Sequence, residues 1–198
     1  TPDRKIRFLW AGSTALRKMW PDIARIWHRS LAGHPGAELY VKTIDPTTKA
    51  NPVVLQPEPG VTYDNRDLND MEMAKLYETA DVFINTSLCE GFGLQPLEAM
   101  AAGALYVGPD TPGTEAFVGA ETGLIAKRDE MVEVEYAGER YPLPKATPAS
   151  VAARVQQAFE SWGWAALELR RQAGTKKART FLWTGTARRV YDVCRGAN

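Results

Sequence analysis

The sequence predicts an α/β domain: a mostly parallel sheet of about six strands, with helices layered on its faces. Two observations carry this. Strand-like and helix-like segments alternate along most of the chain, which is the pattern of repeated βα units. The run Asp81-Val82-Phe83-Ile84-Asn85-Thr86 reads as a buried strand, followed by a short helix that Pro96 opens and Gly103 closes.

The elements follow in order. Lys5-Ile6-Arg7-Phe8-Leu9-Trp10-Ala11 is the first core strand, and Gly12 to Trp20 a loop. Pro21 opens a helix whose apolar positions Ile23, Ile26, Trp27 and Leu31 keep the helical period, with Gly33 as its stop. Glu38 to Ile44 is the second strand, residues 45–60 a loop, and Val61-Thr62-Tyr63-Asp64 a short strand. Asn69 with Glu72 three residues later makes a capping box. The helix behind it puts Met73, Leu76, Tyr77 and Ala80 on one face. The strand at Asp81–Thr86 and its helix come next, then strands at Ala104–Gly108 and Gly123–Ala126.

Residues 127–146 interrupt the alternation. Val132, Val134 and Tyr136 alternate with glutamates, Ala137-Gly138 can turn the chain, and Arg140 to Leu143 return it. The segment predicts an exposed β-hairpin. Thr147 and Pro148 cap and open a helix with Val151, Val155, Phe159 and Trp162 as its buried stripe. A basic helix runs from about Ala165 to Thr180, carrying Arg170, Arg171, Lys176, Lys177 and Arg179. It predicts a solvated face. A terminal helix within 181–198 starts near Thr184, with Ala187, Val190, Tyr191 and Cys194 on one stripe.

The 198 residues suffice for one sizeable core. Lys and Arg number 24, as do Asp and Glu, so global charge gives no reason to expect nucleic-acid binding. No apolar run is long enough to span a bilayer, and the beginning has no signal-peptide pattern. Cys89 and Cys194 lie far apart and have no zinc-type spacing, which predicts reduced thiols in a cytoplasmic protein. Cys89 adjoins the motif described next, but neither histidine is near it in sequence. The chain begins directly on a core strand, so it is expected to be a domain from a larger protein.

The stretch Glu90-Gly91-Phe92-Gly93-Leu94-Gln95-Pro96-Leu97-Glu98 sits at a strand-to-helix turn. Open parallel sheets bind ligands there, outside the carboxyl ends of their strands. The N–H groups of Gly93 and Leu94 are expected to point out of a helix start, which attracts phosphate oxygens. Gly91 and Gly93 leave the backbone uncovered. Glu90 and Glu98 are acceptors, suited to hydroxyl groups. Phosphate donors beside hydroxyl acceptors describe a sugar nucleotide, and both acids are expected to meet the bare amides in one pocket. Read alone, Glu98 also suits the helix dipole, an effect of about 0.3–1 kcal/mol.

This segment resembles the donor-site signature of retaining glycosyltransferases of family 4, in which seven residues separate two glutamates. The order of elements is similar over nearly the whole chain. The resemblance implies a single Rossmann-like three-layer domain spanning 1–198, one half of a GT-B architecture, with the amino-terminal acceptor domain absent. It implies that Glu90 holds hydroxyls of the transferred sugar and that Glu98 holds the ribose. Gly91, Phe92, Gly93 and Leu94 would supply backbone. The family places an arginine just after the first strand, a lysine five residues later and then a glycine. Lys18 matches the lysine; Ser13 and Met19 depart, and Arg17 is the residue near enough to replace the missing charge. The hairpin at 127–146 stands where the family has a short loop.

No Asp-x-Asp tripeptide and no His/Cys cluster is present, so neither metal nor cofactor is expected. The resemblance thus implies a metal-independent glycosyltransferase using a nucleoside-diphosphate sugar, with Lys18 and Glu90 at the reacting centre and the chain inactive alone. A lipid-linked acceptor, and with it a peripheral membrane association aided by the basic helix, is a further implication. Two alternatives stand beside it: a nucleotide-sugar epimerase or other enzyme of this architecture, and a non-catalytic donor-binding or scaffold domain. A phosphorylase would call for a pyridoxal lysine, for which there is no clear candidate.

Overall fold

A computed structural model describes residues 4–13, 15–44 and 59–195. All of the predicted loop at 45–60 except Pro59 and Gly60 lies outside the described residues. The elements are β1 (Ile6–Ser13), α1 (Asp22–Ser30), β2 (Ala37–Ile44), β3 (Val61–Asp64), α2 (Asp70–Glu78), β4 (Val82–Ile84), α3 (Leu94–Ala102), β5 (Leu105–Gly108), β6 (Gly123–Ile125), β7 (Arg128–Tyr136), β8 (Glu139–Ala146), α4 (Pro148–Glu160), α5 (Ala165–Ala178) and α6 (Trp183–Cys194). A single 3-10 turn, Leu16–Lys18, lies between β1 and α1.

Six strands form one parallel sheet in the order β3-β2-β1-β4-β5-β6. β1 is central: Phe8 lies beside Leu39 of β2 on one side and Val82 of β4 on the other. Alternation along the strands divides the core into two layers. Phe8, Trp10, Ile84 and Val107 face α1 and α4, where Ile23, Ile26, Trp27, Val151 and Val155 are buried. Leu9, Phe83 and Tyr106 face the other way, toward Tyr77 of α2 and Leu97 and Met100 of α3. Sheet and helices therefore make three layers, as the sequence predicts.

The local signals hold at the helix starts. Asn69 and Glu72 close a reciprocal capping box on α2, and Thr147 Oγ1 accepts from Ser150 N–H at 3.2 Å. β4 is shorter than its apolar run: Asn85 N–H still donates to Val107 O of β5, at 2.8 Å, and the chain then leaves the sheet at Thr86 and Ser87. The basic residues of α5 are not all solvated. Arg171 donates to Gly103 O at 2.6 Å and Arg179 to Ala101 O at 3.0 Å. Both satisfy carbonyls at the C-terminus of α3, where a helix dipole favours cations. Ala187 and Cys194 of α6 are exposed, as expected of a terminal helix that in the family returns to another domain. No helix among the described residues is long and apolar enough to cross a membrane.

The hairpin forms as predicted, from β7 and β8 paired antiparallel. Its two-residue turn has Ala137 at φ +55° and Gly138 at φ +82°, the type I′ arrangement that suits strand twist. At its base, the buried ammonium of Lys145 lies 2.7 Å from the buried carboxylate of Asp22 on α1. Thr147 N–H also donates to Asp129, at 3.0 Å. Alanine is strained in the left-handed region, at a cost of roughly 1–2 kcal/mol, and asparagine is better tolerated. Ala137→Asn is therefore expected to stabilise the hairpin by about 1 kcal/mol, read as ~5-fold slower hydrogen exchange of the β7–β8 amides.

Candidate functional site

The sheet order reverses between β1 and β4, since β2 and β3 lie to one side of β1 and β5 and β6 to the other. A doubly wound sheet opens a crevice at such a point. The loop after β1 carries Arg17 and Lys18, and the loop after β4 carries Ser87, Glu90 and the glycines.

Buried hydrogen bonds strap these loops together. Trp10 Nε1 donates to Thr86 Oγ1 at 2.9 Å, and Thr86 Oγ1 donates to Lys18 O at 2.5 Å. Leu88 N–H donates to Arg17 O at 2.8 Å. Asn85 donates to the Tyr106 hydroxyl and receives Ser87 N–H. The turn after Lys18 places Met19 at φ +48°, so the chain keeps the left-handed bend with a methionine where the family signature has glycine.

The strapped loops converge on Glu90. Its carboxylate receives Lys18 Nζ at 2.5 Å, Arg17 Nη1 at 2.8 Å and Ser87 Oγ at 2.7 Å. The side chains of Glu90 and Lys18 are 5% and 7% exposed, whereas that of Arg17 is 46% exposed. Lys18 Nζ also donates to Gln95 Oε1 at 2.8 Å. Burial pushes the Glu90 carboxyl up, but the hydrogen bonds from Lys18 and Ser87 and the charges of Lys18 and Arg17 outweigh it. The carboxyl ends below its ordinary 4.5. Burial likewise pushes Lys18 down, and here the opposing pull of Glu90 is too small to restore its ordinary value.

Beyond Glu90, Gly91 leaves the backbone bare, but Gly93, expected to do the same, is buried against Thr114 and Phe117. A Cβ on Gly91 would meet no atom within 4 Å, so that stretch is open. Gly93 caps α3 at φ +82°, and a Cβ there would stand 2.7 Å from Thr114 Cγ2. The first bonded amide of the helix is that of Leu97, to Gly93 O at 3.1 Å; the amides before it have no intrahelical partner. Phe92 turns away to stack with Phe117 and Phe181, at ring distances of 5.9 and 5.7 Å. Leu94 is largely exposed. Buried Pro96 lies in the first turn.

The structure thus joins Lys18, Arg17, Glu90 and the start of α3, but it places Glu98 differently. Glu98 lies one turn along α3, about 6 Å beyond Leu94. It lines a cavity of about 370 Å³ between α2 and α3, together with Asp70, Met73 and Tyr77. Burial, with help from Asp70, pushes its carboxyl above the ordinary 4.5. The Tyr77 hydroxyl is buried in the field of Glu98, yet makes no hydrogen bond of ordinary length. Glu90 and Glu98 share no partner among the described residues. Ser13 ends β1 opposite Ile44, and the charge beside Glu90 comes from Arg17 instead. Among the described residues no three His, Cys, Asp or Glu gather as a metal site.

Sequence reasoning missed Ser87, Gln95 and Gly113. Gly113, at φ +91°, is where a Cβ would strike the Glu90 carbonyl. Its Pro-Gly dipeptide was a usable turn signal. Ser87 and Gln95 carried none.

Residues 6–138 match the family described as Glycosyl transferases group 1. The chain belongs to that family. The fold agrees: the C-terminal domain of a glycosyl transferase group 1 family protein, LpcC, from Francisella tularensis superposes with TM-score 0.66. It is 16% identical, over 90% of this chain and 86% of that one. The pneumococcal O-GlcNAc transferase GtfA, in complex with UDP and GlcNAc, gives TM-score 0.72 at 17% identity, over 98% of this chain and 36% of that one. The described fold is therefore the Rossmann-like α/β fold of GT-B glycosyltransferase domains. The serotype-specific mannosyltransferase WbdA of Escherichia coli is 37% identical over 62 residues, 31% of this chain; the match spans 8% of that protein's length.

Two tests address how this group 1 glycosyltransferase domain builds its site. Met19→Gly relieves the left-handed strain but loosens the unfolded chain, so stability is expected to stay within about 1 kcal/mol of the parent. Met19→Val, β-branched at positive φ, is expected to cost at least about 1 kcal/mol. Chemical denaturation reads both. Because the folded pKa of Glu90 is depressed, its stabilising effect is complete above the unfolded value and lost as pH falls through the folded one. Glu90→Gln strands a buried cation and is expected to cost about 3 kcal/mol at pH 7. Its deficit should shrink as pH drops below about 4.5, followed by urea denaturation across that range.

Proposed function

We propose that this chain is the donor-binding domain of a retaining, metal-independent glycosyltransferase that uses a nucleoside-diphosphate sugar. One observation supports this above others: a buried lysine and an arginine meet Glu90 at the sheet's switch point, in a loop that passes through open Gly91 into the start of α3. The cations and the first amides of α3 suit a diphosphate. Glu90 suits hydroxyls of the sugar, and Glu98, one turn along, suits those of the ribose.

In the reaction the bond between the anomeric carbon and the diphosphate oxygen breaks. The electron pair leaves with the diphosphate, and the acceptor hydroxyl gives its proton to the departing diphosphate oxygen as its own oxygen bonds to the anomeric carbon on the same face. Lys18, Arg17 and the helix start would stabilise the charge that grows on the departing diphosphate. Acceptor groups would come from an amino-terminal domain, and a lipid-linked acceptor would bring the enzyme to a membrane surface. Ser13 in place of an arginine and Met19 in place of a glycine favour a non-catalytic donor-binding domain; the direction of Arg17 weighs against it.

Thermal denaturation with uridine, guanosine and adenosine diphosphates tests the reading. One of the three, at 100 times its dissociation constant, is expected to stabilise the domain by about 2.7 kcal/mol. Absence of a shift with all three overturns the donor reading.

A further inference from the structure

A lysine ammonium has three N–H donors and no acceptor. Two of those of Lys18 are taken, by Glu90 Oε1 at 2.5 Å and by Gln95 Oε1 at 2.8 Å. The two acceptors differ in kind. Glu90 is a carboxylate shared with Arg17 and Ser87. Gln95 is neutral, half-buried and the second residue of α3. It therefore presents an oxygen to the lysine from the first turn of α3, where the Leu94 and Gln95 amides have no intrahelical partner. A neutral acceptor fixes the direction of a cation without cancelling its charge. Two cations face one carboxylate in this cluster, and one positive charge is left over.

We propose that Gln95 is a positioning residue for Lys18: with Glu90 it engages two of the ammonium's protons and leaves the third for the diphosphate of the donor. The assignment rests on the donor reading above. It goes beyond the two-glutamate signature, because it gives a task to a residue between the glutamates that contributes a side chain rather than backbone.

The test is NMR titration of the isotope-labelled chain with uridine, guanosine and adenosine diphosphates and with the three nucleosides. Gln95→Met keeps the length of the side chain and removes the acceptor. It is expected to weaken the bound diphosphate about tenfold, as loss of one hydrogen bond to a charged group does. Nucleoside affinity should not move, because a nucleoside offers Lys18 no phosphate. The Lys18 ammonium is expected to lose its proton at lower pH in Gln95→Met, since an acceptor favouring the charged form is gone. In Gln95→Glu, which suits a helix start, it should lose its proton at higher pH. The added carboxylate should also weaken the diphosphate by cancelling the spare charge. Equal weakening of diphosphate and nucleoside, or a Lys18 titration unmoved in both variants, overturns the role of Gln95 and leaves the donor reading intact. Failure of every diphosphate to bind the unsubstituted chain overturns both.

Discussion

The ion pair between Lys18 and Glu90 is the constraint on which the rest of the site depends. Both side chains are nearly inaccessible, and charges of opposite sign in so dry a place must meet each other or pay a desolvation cost of several kcal/mol each. The pair cannot form unless the loop after β1 and the loop after β4 lie against each other. That explains the buried bonds beneath it: Trp10 to Thr86, Thr86 to the Lys18 carbonyl and Leu88 to the Arg17 carbonyl. Each fixes backbone so that two distant side chains arrive at hydrogen-bonding distance.

The sheet supplies the frame for that meeting. β1 and β4 are neighbours in space although two further strands and two helices fall between them in sequence or beside them. The chain must cross over the sheet to place them so, and the crossing opens the crevice. α3 then begins at the mouth of the crevice because Gly93 takes a left-handed turn that a Cβ would obstruct at Thr114. An ion pair with one cation to spare, beside unpaired helix amides, makes an electropositive place bordered by carboxylate. A phosphorylated sugar has the matching chemistry.

Other parts of the molecule serve stability. Arg171 and Arg179 look like a charged surface in sequence, yet they close the C-terminus of α3. The opposite end of α3 is thereby left as the end with unpaired groups. The β7–β8 hairpin is bound at its base by Lys145 and Asp22 on α1, and its tip stands in solvent.

The sequence by itself determined the elements, the capping box at Asn69, the hairpin turn at Ala137-Gly138 and the glutamate motif. These depend on interactions within a few residues, where periodicity, proline and glycine leave direct marks. It also pointed to Lys18 and Arg17, by resemblance. Only the tertiary structure decided that Arg17 turns to Glu90, that Ser87 and Gln95 join the cluster, and that Glu98 faces α2 instead of sharing a partner with Glu90. The reason is physical. A side chain's partner across seventy residues is chosen by how strands order in the sheet and by which charges burial forces together, and neither leaves a trace in local spacing.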